Sequence, residues 1–439
     1  MSVSRILLVA VLLLTMYGCK HPLAIFGEGD IVSASGTRDC YLEDFQQGLP
    51  NCSENEVTGA YSETYTGVPR PGWQFRRWTP YCKKALNNEC SFNVGANTVE
   101  NHADSTFPAL KAVFRSTVNT GFTALFMGNE LFDPFANGIE FHAHGAGFPD
   151  HGTTTFFASG SDGAPQALWD DTANRAAIQA ILDGGDIELL GMTYSPAHPS
   201  VTGYKKWVNY ALQQHPDTRF FITTPWSPDP EAVSATQYEA DFEATHAAVH
   251  ALVDELREAF PGVDFYDVPL GRTAVELYHL YEQSNLPDVS ALVGAPANAV
   301  FQNDAATPGD ILVALGELLW VGAIYDVDIS GYDYDPGYIT DLKALAQGVI
   351  DGHDATYNAP DEVDVDTDGD GIVDRLDPNP TGKPNILLIM PDDMGYDDYR
   401  SITATRVSTL RIWTRLPRPV SGSRGITLPL SAPRPGRRF

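Results

Sequence analysis

Arg219 to Val268 reads RFFITTPWSPDPEAVSATQYEADFEATHAAVHALVDELREAFPGVDFYDV, and its two ends decide the fold. Arg219–Thr224 and Val263–Val268 are short runs rich in aromatic and β-branched residues, as buried strands are. Between them Ala235–Phe260 has the length of a helix, not a strand. The same alternation continues outward. Ala124–Met127 and Ile187–Met192 are further predicted strands; Asn174–Leu182, Gly203–Gln214, Thr273–Gln283 and Gly309–Tyr325 are further predicted helices. A βαβα order over residues 120–330 predicts an α/β fold with a parallel sheet wrapped by helices.

FMGNELF, Phe126 to Phe132, closes the first of these strands. It resembles the first block of SGNH-type hydrolases, where Gly-Asn-Ser or Gly-Asp-Ser places the nucleophile on a strand-to-helix turn. The resemblance puts Glu130 at the nucleophile position. The family's last block sets an Asp and a His three residues apart before a final helix; here Asp304 and Thr307 precede Gly309–Tyr325. Serine catalysis needs a hydroxyl and a base within hydrogen-bond reach, and neither stands where the resemblance puts it. Residues 118–330 are therefore expected to form an SGNH-like domain with a lost or rebuilt site. Glu130 with Asp170 or Asp171 would offer a carboxylate pair for acid–base work. In EFHAHGAGFPDH, His142, His144 and His151 cluster with Glu140 and Asp150, either as a metal-holding H-x-H pair on a strand or as ordinary loop histidines.

Residues 26–116 alternate apolar and polar positions between turn residues and predict a small β domain. It resembles the bacterial surface repeats of the internalin-B type, with Gly72 to Trp78 as the Gly-Trp-x-Phe-x-x-Trp strand. Trp73, Phe75 and Trp78 are expected in its core, with a sugar platform as the other reading. Four cysteines, Cys40, Cys52, Cys82 and Cys90, fall in this region, and export favours two disulfides. Three connectivities exist; the local one, Cys40–Cys52 with Cys82–Cys90, is expected, and a zinc site is the rival.

Residues 331–382 hold one predicted helix, Ile339–Ile350, and then DVDTDGDGIVDRLD. Asp366, Asp368, Asp370, Asp374 and Asp377 crowd carboxylates around the turn at Gly371, which suits Ca²⁺ with its six to eight oxygen ligands. The run resembles thrombospondin type 3 and dockerin-like repeats, which implies a calcium-binding spacer. KPNILLIMPDDMGYDD then resembles the opening strand of a sulfatase, an α/β fold of the alkaline-phosphatase kind, and covers residues 383–399. The resemblance implies that Asp392 and Asp393 bind the catalytic calcium.

That resemblance ends at Tyr399. Residues 400–439 carry nine Arg and no acid, in a chain of 57 acids and 28 bases. Shifted by one base, Trp413–Thr414 must encode Asp, Leu410–Thr414 permits Pro-Asn-Leu-Asp, and Leu430–Arg438 permits a C-x-P-S-R signature. Both segments belong to sulfatases, so the tail is expected to be out of frame. The catalytic Cys motif is then missing from the chain as it stands.

At 439 residues two or three domains are expected. A net charge of −29 excludes a nucleic-acid surface over the body and favours a cation-binding exterior. Residues 1–19 form a predicted signal segment: Arg5, then nine apolar residues from Ile6 to Leu14, too few to span a bilayer. Thr15 to Cys19 resembles a bacterial lipobox. That implies a lipidated Cys19 and, with Lys20 after it, an outer-membrane or cell-surface location. The expectation is a lipid-anchored protein derived from a sulfatase, with sulfated polysaccharide as its partner. The alternatives are an SGNH-like esterase with a non-standard site and a non-catalytic binding or display module.

Overall fold

A computed structural model of the protein describes residues 19–85, 87–102 and 105–359. The calcium loop from Asp366 to Asp377, Asp392 and Asp393, the sulfatase-like start and the Arg-rich tail lie outside the described residues.

The amino-terminal part is built from two three-stranded sheets. Strands β1 (Leu23–Phe26), β2 (Gly29–Ser33), β3 (Tyr61–Pro69), β4 (Trp73–Thr79), β5 (Glu89–Val94) and β6 (Leu110–Ser116) divide as β1-β6-β4 and β2-β3-β5. Leu23, Ile25, Ile31, Tyr65, Trp78 and Phe114 fill the space between the sheets. Trp78 is thus core, as expected, while Trp73 and Phe75 pack at its margin. Both disulfides have the local pairing, Cys40–Cys52 and Cys82–Cys90.

Cys19 is a different matter. It sits in a two-residue strand against Glu56–Val57, with its thiol buried beside Val57, Val94 and Val99 and 3.2 Å from His21 Nε2. A diacylglyceryl chain on that sulfur requires this strand to be displaced.

The second part carries a five-stranded sheet of β7 (Thr123–Asn129), β8 (Gly152–Ala158), β9 (Leu189–Thr193), β10 (Arg219–Thr223) and β11 (Phe265–Val268). Every pairing is parallel and the order is β8-β7-β9-β10-β11. Helices α1 (Asp133–Gly145), α2 (Thr172–Leu182), α3 (Val201–Gln214), α4 (Ala235–Ala259), α5 (Leu270–Glu282), α6 (Asp310–Tyr325) and α7 (Leu342–Gly352) cover both faces. One face packs Phe126, Phe135, Phe221, Leu315 and Trp320; the other packs Leu125, Met127, Leu190, Trp207 and Val253. A sheet buried on both faces explains why its strands read as continuous apolar runs.

Two expectations change here. The segment around His142 and His144 is helix α1, not a strand or loop. Phe135, Ala136, Ile139, His142 and Ala143 form its buried face, spaced as a helix requires. Strand β8, GTTTFFA, was not anticipated.

Buried ion pairs join the two parts. Arg76 reaches Asp264 at 2.7 Å, and Arg115 reaches Asp217 at 2.6 Å and Asp264 at 2.5 Å. The arginines come from β4 and β6; both carboxylates lie just before the amino ends of β10 and β11. The two Arg charges hold the Asp264 carboxyl well below its usual range, against the opposing effect of burial.

Candidate metal centre

An open α/β sheet of order 2-1-3-4-5 places its usual ligand crevice at the carboxyl ends of the strands where the order reverses, here β7 and β9. Gly128 has φ +149°, and a Cβ there would collide with Thr193 at the end of β9. The Thr193 hydroxyl instead accepts from the Asn129 backbone N–H at 2.9 Å. Glu130 follows and accepts from the Ser159 hydroxyl at 2.8 Å. Thr307 donates its hydroxyl to Asn303 at 3.1 Å. Trp226 links the loops by stacking near Phe132 and donating to the Ala306 carbonyl. The loops meet at these strand ends, but no Ser–His pair forms among these residues.

The proposed substitutes are dispersed. Asp171 caps α2 by accepting from Ala173 and Asn174 N–H, and Asp170 faces Lys206 and Gln166. Glu130 therefore has no carboxylate partner at either residue. His142 faces Glu317 and Tyr332, His144 bonds the His151 carbonyl, and His151 lies between Thr153 and Tyr325. On a helix, residues two apart point to different sides, so H-x-H cannot chelate there.

A different set of side chains converges. His246 and His250 stand one turn apart on α4 and so share a face. That face meets the end of β11, where Asp267 is fully buried. His353, just beyond α7, closes the group. Oδ2 of Asp267 lies 3.1 Å from Nε2 of His246, 3.5 Å from Nε2 of His353 and 3.7 Å from Nε2 of His250. Nε2 of His353 is in turn 3.1 Å from Nε2 of His246 and 3.3 Å from that of His250. All four donor atoms fall within 4.8 Å of one another.

Five of the six donor-to-donor distances are thus 3.1–3.7 Å, and the sixth, His246 to His250, is within 4.8 Å. Zinc–nitrogen bonds of about 2.0–2.1 Å imply ligand-to-ligand edges of roughly 3.3–3.4 Å. Oδ2 of Asp267 is fully buried and faces only imidazole nitrogens, those of His246 at 3.1 Å and His353 at 3.5 Å being nearest. A buried carboxylate needs a cation facing it, which a protonated imidazole or a metal ion held by neutral imidazoles supplies.

The surroundings orient each donor. Thr224 Oγ1 donates to the other Asp267 oxygen, Oδ1, at 2.7 Å, leaving Oδ2 for the centre. Nδ1 of His353 donates to Asn358 Oδ1 at 2.5 Å, so its Nε2 lone pair faces inward when the ring is neutral. His250 stacks on Tyr357 at 3.6 Å between ring centroids, and Tyr357 donates to Asp254 at 2.9 Å. Burial, followed by the His246 charge, pushes His250 down to about 4. For His353, burial works against the charge but Asp267 outweighs it and raises the imidazole above its usual value. Burial acts to raise Asp267, and the imidazoles bring its carboxyl below the usual range.

None of the four residues was singled out in the sequence. His246 and His250, at i and i+4 on a predicted helix, were the available signal. Asp267 and His353 become neighbours only through the fold.

No family model matches this chain, and no curated protein does. Three solved structures share a likeness with it. A DUF4886 family protein from Bacteroides uniformis is 15% identical, with a TM-score of 0.36 over 52% of this chain and 95% of that one. An acetyl xylan esterase, AlAXEase, is 11% identical, with a TM-score of 0.30 over 46% of this chain and 98% of that one. BT4096, a gut microbial diltiazem-metabolizing enzyme, is 17% identical, with a TM-score of 0.27 over 47% of each chain. Likeness at this level bears on neither the fold nor the chemistry of this protein, which rest on its own sheet order and side chains.

Proposed function

We propose that this protein is a zinc-binding surface protein whose α/β domain holds one Zn²⁺ on His246, His250, His353 and Asp267. The observation that carries this reading is the convergence of three imidazole nitrogens on the fully buried Asp267 Oδ2, with five of the six donor-to-donor distances between 3.1 and 3.7 Å. Three imidazoles and one carboxylate favour Zn²⁺ over Ca²⁺ or Mg²⁺, which take oxygen ligands. The metal joins α4, β11 and the segment after α7. Glu130 and Thr307 stand at the nucleophile and base positions of an SGNH-like domain that has lost ester hydrolysis. The wider setting belongs to the same proposal: export with a lipid anchor at Cys19, a Ca²⁺-holding spacer after residue 360, and descent from a sulfatase acting on polysaccharide sulfate. Sequencing the gene beyond Asp398 tests that descent.

Zinc titration of metal-stripped protein in a calorimeter tests the centre. One equivalent is expected to bind tightly, and His353→Ala and Asp267→Asn are expected to abolish the tight phase. Thr224→Val, which frees Asp267 Oδ1, should weaken affinity about 10–100-fold, the usual effect of removing a partner that orients a ligand. Wild-type protein that takes up no zinc, or a His353→Ala variant that binds as tightly as wild type, would refute the assignment.

A further inference from the structure

His246, His250 and His353 have a second property in common: all three line a cleft of about 440 Å³. Asp267 does not. It is fully buried and borders instead a second, smaller cavity with Gly322, Ile350 and Asn358, which His353 also lines. A metal at the centre would thus rest on the buried Asp267 carboxylate and meet the cleft through its three imidazoles. Of the three, His246 and His250 keep 15% and 18% side-chain exposure, and His353 keeps 2%.

We infer that the zinc keeps an open coordination position on the cleft side, which takes a small neutral nitrogen donor such as an imidazole or a primary amine that has released its proton to solvent. This rests on the zinc-binding reading above. A donor entering from the cleft is a fifth ligand, and zinc expands to five-coordination.

The walls select the donor. Glu243, Glu276 and Asp354 face the cleft with one base, Arg272. That base is already engaged by Glu276 at 2.7 Å, Glu239 at 2.9 Å and Glu243 at 3.1 Å. With a bound Zn²⁺ and Asp267 counted beside these four groups, the cleft still carries one net negative charge, which disfavours sulfate, phosphate and carboxylate groups relative to neutral donors. Phe242, Pro269 and Val349 supply apolar wall for a ring or an alkyl stem. The cleft thus differs from a sulfate-ester site in sign.

Cobalt(II) tests this in the full chain, because its visible spectrum reports coordination number where zinc is silent. Metal-stripped protein is loaded with one equivalent of Co²⁺ and titrated with imidazole, then separately with azide. The expected result is a saturable fall in the tetrahedral bands with imidazole while cobalt stays bound, and at least about tenfold weaker action by azide, an anion in a negative cleft. Gly348→Phe supplies the second arm. Gly348 lies on the cleft wall with open space around its Cβ position, so a large side chain is accommodated at the cleft margin. This variant should bind cobalt with unchanged stoichiometry and lose the imidazole response. A cobalt-loaded protein whose bands ignore imidazole, or lose cobalt to it, overturns the open position but leaves the zinc reading intact. Equal action of azide and imidazole overturns the donor class. A protein that takes up no cobalt or zinc fails at the earlier step and removes both.

Discussion

His151 shows what burial does to one imidazole. It is 3% exposed, with the Tyr325 hydroxyl at Nδ1 and the Thr153 hydroxyl at Nε2. Burial pushes it down to about 4. The unfolded chain therefore takes up this proton first, near pH 6.5. The folded state loses stability as pH falls from 6.5 to 4 and regains none below, by roughly 3 kcal/mol for this group. Urea unfolding at a series of pH values in EDTA measures it. His151→Gln is expected to flatten the acid slope in that window by about that amount, and an unchanged slope would contradict the assignment. The same residue marks the limit of sequence reading. His142, His144 and His151 look like one cluster in EFHAHGAGFPDH, yet a helical backbone turns each toward a different partner. His246 and His250 look unremarkable in a long polar helix and become ligands because Asp267 and His353 arrive opposite them.

Among elements, the strands were the most legible. β7, β9, β10 and β11 are apolar on both faces, so composition alone marks them, and their helices follow from spacing. α1 was missed because its polar positions include Asn137, Gly138 and three basic or acidic residues, which masked a buried stripe of normal period. β8 was missed because its Thr-rich first half has no apolar run. The contact between β4, β6 and the sheet was not legible either, since charges dispersed in sequence carry no periodic signal. Energetically that join is strong. Arg115, with its side chain 11% exposed, bridges two carboxylates, and removing one partner of a buried pair costs about 3–5 kcal/mol. Arg115→Ala is expected to lower the unfolding free energy by that much, read from denaturant midpoints at constant m. Glu43→Ala, which removes only the exposed partner of Arg70, should change it by under about 1 kcal/mol. Equal effects of the two substitutions would show that the join contributes little.

Across the whole molecule, one donor stands apart from the rest. His246, His250 and Asp267 belong to the α4–β11 unit, whereas His353 follows α7, which packs on α6 through Ala346 and Val349. Metal loss is then expected to loosen α7 selectively, since local opening draws on the least secured element. Trypsin cleavage after Lys343, within α7, measures this. EDTA should accelerate it by at least about tenfold relative to zinc-loaded protein, the effect of a ligand that binds only the closed form. Identical digestion rates in zinc and in EDTA would show that α7 holds without the ion.

The position of His353 also sets a direction. Any tension transmitted along the backbone from residue 360 onward meets the folded body at Asn358 and His353 before it reaches a single sheet strand. The four-way junction at His353 is then a shackle: it passes load straight into α4 and β11, past α7, so a tug on the tail is borne by coordination bonds instead of by a helix peeling turn by turn.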